Sequence, residues 1–206
     1  MRRPTLLFLH GWSFDSSIWA PLRAALPDYD AVAWDRGYFD VAKAPEIEGP
    51  VLAIGHSLGA LLLAAGAPKA SIGLVAINGF DRFTGDDEGV PTRLLERMRK
   101  RFAEAPAEVL ADFRTRCGAD GPPKNFHVAT LAADLALLAE ADARGVFPAP
   151  TLALHGADDP ILNSQMRGLV FAGAVRETFP EAGHLLPLTH SGWCADRIRA
   201  FADTLE

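Results

Sequence analysis

Six short stretches of this chain are almost continuously apolar: residues 5–9, 31–34, 51–55, 72–78, 151–155 and 174–179. A strand with one wet face alternates apolar and polar side chains, whereas a strand covered on both faces does not. Continuous runs of four to seven residues therefore predict a parallel sheet buried between helical layers. Helix-like segments separate several of the runs. Residues 17–26 carry Ile18, Leu22 and Leu26 at a spacing of four, residues 58–67 are nearly all apolar, and residues 193–205 place Ile198, Phe201 and Leu205 on one side. Strand–helix alternation of this kind predicts an α/β domain with a mostly parallel sheet of about six strands.

The rhythm breaks between Gly79 and Phe147, where no strand is expected. Three helix-like pieces fill the gap, at 90–104, 106–117 and 127–143, with a loop at 118–123. An all-helical insertion between two parallel strands is most simply a cap. The expected division is thus a core of residues 1–79 and 148–206 and a helical cap of residues 80–147. At 206 residues the chain is long enough to bury roughly 70% of its unfolded surface without a metal or disulfide. Its two cysteines, Cys117 and Cys194, lack the spacing of a zinc or redox site and are expected to be free thiols.

The motif that carries chemistry is Gly55-His56-Ser57-Leu58-Gly59, set between an apolar strand and an apolar helix. A serine on that sharp turn is exposed as a nucleophile, and the helix start aims free N–H groups at a developing oxyanion. A serine nucleophile needs a base, and the base an orienting acid. Both are expected on loops after later strands, at the sheet edge where α/β folds build their sites. The loop 156–160 offers Asp158 and Asp159, and the loop 180–184 ends in Gly183-His184. Asp159 is the preferred acid, with Asp158 and Asp81 as alternatives. His184 is preferred over His190 as base. After the first strand comes His10-Gly11-Trp12, which makes the Trp12 and Leu58 N–H groups the expected oxyanion donors.

With these motifs in place the chain resembles the α/β-hydrolases. More narrowly it is similar to the pimeloyl-acyl-carrier-protein methyl ester esterases of biotin synthesis. The similarity lies in His10-Gly11-Trp12 with Ile18-Trp19, the Ser-Leu-Gly elbow, the run Ala76 to Phe80 leading to Gly89-Val90-Pro91, and Met98, Phe102 and Phe113-Arg114 in the cap. It departs in having one strand before His10, and His56 and Ala60 where relatives often have Trp and Gly. The resemblance implies a serine esterase that needs no metal or organic cofactor and removes a methyl group from a pimeloyl chain on a carrier protein. The expected acyl-chain lining is Trp12, Phe80, Phe83, Met98, Phe102 and Leu185.

Charge bears on partners. The formal net charge is −6, which argues against a general nucleic-acid binder. Residues 90–117 nevertheless hold seven basic against four acidic side chains. Arg93, Arg97, Lys100 and Arg101 at helical spacing are the expected docking surface for an acidic carrier protein. A solvated helix face with a Glu96–Lys100 pair is the alternative. A general short-chain carboxylesterase or lactonase, and a slow triad-retaining receptor, share the same motifs. The start Met1-Arg2-Arg3 imitates an export signal, but its apolar run is shorter than the roughly 7–15 residues required. A soluble cytoplasmic protein, with no membrane partner, is expected.

Overall fold

The computed structural model describes residues 3–85 and 88–205. Met1 and Arg2 of the basic start lie outside them. Six strands form one sheet: β1 (Thr5–Leu9), β2 (Ala31–Trp34), β3 (Val51–His56), β4 (Ser71–Ile77), β5 (Thr151–Gly156) and β6 (Val175–Phe179). Their order is β2-β1-β3-β4-β5-β6, and every pairing is parallel. The chain thus has the α/β architecture, with a parallel sheet of six strands, that its apolar runs predicted.

The continuous runs of β1, β3, β4 and β5 are explained by burial on both faces, whereas β6, expected to be such a strand, lies at the sheet edge and is partly exposed, Val175 by 59%. Leu7, Leu9, Ala53, Leu74 and Ala76 point into one core, completed by α2 (Leu58–Gly66) and the inserted helices. Leu6, Phe8, Leu52, Ile54, Val75 and Leu154 point into the other, beneath α1 (Ala20–Ala24), α7 (Leu186–Thr189) and α8 (Ser191–Asp203). Between β4 and β5 the chain forms α3 (Thr92–Glu104), α4 (Pro106–Cys117) and α5 (Val128–Glu140). Pro106 opens α4 where a missing N–H does no harm, and Gly118 closes it at a φ of 85°.

Three features differ from the sequence-based expectation. The helix expected at 17–26 is a 3-10 turn, Ser16–Trp19, followed by the short α1. Pro21 is tolerated only in a first turn, so a fresh helix start is imposed there. The crossing from β2 to β3 carries no helix but a bridge between Asp35 and Lys43. Two helices not anticipated, α6 (Ser164–Leu169) and α7, are too short to show a clear period.

Five residue pairs tie α5 and its N-cap His127 to the segments that follow β1 and β2. Asp134, fully buried, receives Nε and Nη2 of Arg36 at 2.9 and 2.5 Å and the Tyr38 hydroxyl at 2.5 Å. The Trp12 indole donates to Leu131 O at 2.9 Å, the His127 N–H to Tyr38 O at 2.7 Å, and His127 Nδ1 lies 2.8 Å from Gly37 O. Burial raises the Tyr38 pKa well above its ordinary value, and Asp134 adds to the shift, so the phenol stays a donor.

Candidate active site

Ser57 sits between β3 and α2 at φ 53° and ψ −122°, a positive φ that a serine adopts only under constraint. The constraint is visible. The Ser57 N–H donates to Ile77 O of β4, and the turn closes on itself through Ala60 N–H to Ser57 O. A Cβ on Gly55 would lie 2.4 Å from Ala60 Cα, and one on Gly59 would lie 2.0 Å from Leu9 O. Only glycine permits the elbow to pack this closely.

The loops after β5 and β6 bring Asp159 to His184. His184 Nδ1 lies 2.9 Å from Asp159 Oδ2 and 3.0 Å from Oδ1. The other ring nitrogen, Nε2, is buried and has no hydrogen-bond partner, Ser57 Oγ included. Asp159 also accepts the Ile161 N–H at 2.8 Å, the Leu162 N–H at 3.2 Å and Asn78 Nδ2 at 2.8 Å. Burial by itself would raise the Asp159 pKa. His184, the Ile161 N–H and Asn78 outweigh it and hold the carboxyl down at about 2.

The other candidate acids stand elsewhere. Asp158 is exposed, its N–H bound to Ala182 O. Asp81 accepts the Phe171 N–H at 2.9 Å and meets Arg144 electrostatically. His190 stacks on Phe179 at 4.1 Å, on the sheet's β6 edge.

Two backbone N–H groups on the segments that meet at the elbow have no acceptor among the described residues. Leu58 is the first residue of α2, so its N–H has no intrahelical acceptor. The Trp12 N–H has no backbone or side-chain acceptor among the described residues. Gly11 brings the two loops together, since a Cβ there would lie 2.8 Å from Ser57 Cβ.

Two residues near the pair escaped the sequence reading. Asn78 directly follows β4 at a φ of 46°, fully buried, and binds Asp159 and also Gly183 O at 3.3 Å. A polar residue closing an apolar strand was its only signal. His56 lies 2.9 Å from the backbone oxygen of His184 through Nε2, with ring centroids 4.9 Å apart. Burial first, and His184 second, push its pKa down to about 3, so it is a neutral donor that holds the His184 loop. Among the described residues no group of three or more His, Cys, Asp or Glu side chains could hold a metal ion.

Beside the site a cleft of about 360 Å³ lies between the α3–α4 hairpin and the Asp159 loop. Phe83 and Met98 line it. The others of the expected lining do not. Trp12, Phe80, Phe102 and Leu185 are at most 5% exposed, because their large side chains complete the cores. Trp12 meets Phe113 and Phe102 edge-on at 5.0 and 5.7 Å, and Phe80 stacks on Phe83 at 4.8 Å. The remaining apolar wall includes Val90, Leu94, Val109, Phe113, Pro160 and Ile161, and Arg97, Arg101 and Arg116 supply positive charge. Of the expected docking residues, Arg101 is committed to Asp112 at 2.7 Å and Glu108 at 3.6 Å. Arg93, Arg97 and Lys100 are exposed and form no ion pair among the described residues, so the Glu96–Lys100 pair is not made.

A parallel sheet with a strained serine at a strand-to-helix turn, and a paired acid and histidine on later loops, defines the hydrolase architecture. The chain belongs to the alpha/beta hydrolase family, whose model matches residues 6–197. Among solved structures it is similar to a thermophilic esterase from Thermogutta terrifontis, with a TM-score of 0.75 and 18% identity over 99% of this chain and 91% of that one. It is similar also to an esterase from Exiguobacterium antarcticum (TM-score 0.79, 17% identity, 98% and 92% covered). A bromoperoxidase from Bacillus anthracis is as close in shape (TM-score 0.79, 15% identity, 98% and 92% covered), so these likenesses carry the fold alone. Comparison with curated proteins finds no match. Among the described residues no helix is long and apolar enough to cross a membrane.

Proposed function

We propose that this protein is a serine carboxylic-ester hydrolase. The observation that carries the proposal is the bond between His184 Nδ1 and Asp159, which leaves the histidine's Nε2 without a partner on the site that holds the strained Ser57. Asp159 selects the tautomer with hydrogen on Nδ1, so Nε2 is the basic nitrogen. It takes the Ser57 hydroxyl proton as Oγ attacks the ester carbonyl, a contact that tightens when substrate enters. The Trp12 and Leu58 N–H groups receive the oxyanion, each donor being worth about 3–4 kcal/mol in such sites. The carbon–oxygen bond to the alcohol breaks, and the proton passes from His184 to the leaving alkoxide. Water then gives a proton to His184 and attacks the acyl-serine. The acid departs and Ser57 regains its proton.

Within that class the preferred substrate is a methyl ester of a pimeloyl chain on an acyl-carrier protein. The sequence resemblance suggests it, and the apolar cleft with Arg97 and Arg116 free beside it supports an apolar chain tethered to an acidic partner. Methyl release from carrier-linked ester, measured beside the same ester without carrier at low salt, tests both levels. Activity lost in Ser57→Ala supports the hydrolase. Preference for the carrier-linked ester supports the narrower substrate, whereas equal rates favour a general short-chain carboxylesterase or lactonase. A folded protein with no turnover on either ester would favour the receptor.

A further inference from the structure

The loop that carries the Trp12 N–H is held in shape from outside. Ser13 has a φ of 67°, which serine adopts at a cost unless its hydroxyl bonds locally. Its Oγ is buried and has no partner. The compensating contact comes from the cap, where Arg114 Nη1 on α4 donates to Ser13 O at 2.6 Å. The same guanidinium lies over the Phe14 ring at 5.0 Å and the Phe39 ring at 5.9 Å, and its Nε donates to Asp120 O at 2.8 Å. The preceding residue, Phe113, meets the Trp12 ring at 5.0 Å. One turn of α4 therefore grips three consecutive residues, Trp12, Ser13 and Phe14.

We propose that Arg114 is a positioning residue that makes assembly of the oxyanion site depend on the seating of α4. With Arg114 in place, Ser13 is pinned at its unfavourable φ and the Trp12 N–H is aimed at the elbow. Without that pin Ser13 relaxes from its unfavourable φ and the Trp12 N–H loses its aim. The kinetic form of this inference rests on the hydrolase assignment above; the structural form does not.

The test compares wild type with Arg114→Met, which keeps length but loses every donor, and Arg114→Lys, which keeps the charge and one donor. For a p-nitrophenyl ester, kcat falls roughly 10–100-fold in Arg114→Met while KM stays within about threefold, as expected when a reacting group is misplaced by about an ångström. Inhibition by a trifluoromethyl ketone, which forms an oxyanion on Ser57, weakens by the factor lost in kcat/KM. Arg114→Lys recovers part of both. Amide exchange is the second readout: Trp12 and Ser13 exchange faster in Arg114→Met, and α5 amides do not. Unchanged kcat and inhibitor affinity, or a loss confined to KM, would overturn the inference. If wild type hydrolyses no ester, the hydrolase assignment fails and exchange alone decides: faster exchange upholds the coupling and unchanged exchange overturns it. If Arg114→Met does not fold, Arg114→Lys is read by the same criteria at smaller amplitude.

Discussion

Gly11 stands directly against Ser57, so close that a Cβ at position 11 would lie 2.8 Å from Ser57 Cβ and 2.9 Å from His56 Nδ1. No flexible side-chain end absorbs that overlap, because both neighbours belong to the elbow. The first strand's loop and the third strand's turn thereby set each other's position, which places the Trp12 N–H relative to the nucleophile.

Gly11→Ala must push the two loops apart. We expect kcat/KM to fall by roughly 10²-fold or more, the loss that follows from displacing one oxyanion donor. Steady-state kinetics on an activated ester, with circular dichroism to confirm folding, checks this. Activity within threefold of wild type would show that the loops are not in register for catalysis.

Asn78 supplies Asp159 with a bond that the backbone cannot replace. A bond to a charged group is worth about 1.5–3 kcal/mol, and 1.4 kcal/mol is a factor of ten in rate. Asn78→Ala should lower kcat about tenfold or more. Carbon NMR of the Asp159 carboxyl should show its pKa rising from about 2, since one stabiliser of the charged form is gone. The depressed pKa means that Asp159 contributes stability above its unfolded pKa of about 3.9, lost as pH falls through about 2. In the variant the loss is smaller and is complete at a higher pH.

The Asp134–Arg36–Tyr38 cluster is the buried anchor of α5. Asp134→Leu leaves a half-buried guanidinium without its carboxylate, at a cost of about 3 kcal/mol. For a chain of this size that lowers Tm by about 6–12 °C. Thermal unfolding of the two proteins at one pH measures it. A shift below 2 °C would show that α5 needs no such anchor.

His155 and His56 are buried neutral, with pKa values pushed down by burial to about 4 and about 3. In the unfolded chain both titrate near 6.5, so between pH 6.5 and about 4 the unfolded state binds more protons and stability falls as pH falls. The slope is roughly 1 kcal/mol per pH unit for each histidine. Both ring nitrogens of His155 lack partners. Urea unfolding at pH 7 and pH 5 should therefore show His155→Leu to be near neutral at pH 7 and less sensitive to acid than wild type. An equal acid loss in both proteins contradicts the assignment.

Some of this protein was legible from local pattern alone. Continuous apolar runs imply strands buried on both faces, and the five strands after the first deviate from expectation by at most one residue at either end. Gly55, Ser57 and Gly59 announce the elbow because its backbone geometry admits only glycine at those flanks. Pro106 and Gly118 mark α4 to the residue for the same conformational reason. Ser57, Asp159 and His184 could be singled out because strand ends are where such chemistry is placed.

Tertiary structure decided everything that depends on which surfaces meet. Local sequence marks Trp12, Phe80 and Phe102 as large apolar residues near the motifs but cannot say whether they line a cleft or close a core; in the fold they close the core. Charge along α3 does not reveal that Arg101 is consumed by α4, nor does the basic run containing Arg114 reveal that its guanidinium turns inward to Ser13. Asn78 reaches Asp159 across 81 residues of sequence, and Asp134 reaches Arg36 across 98. Such pairs carry no local signal, because the free energy that brings them together comes from the packing of the whole sheet and its helices.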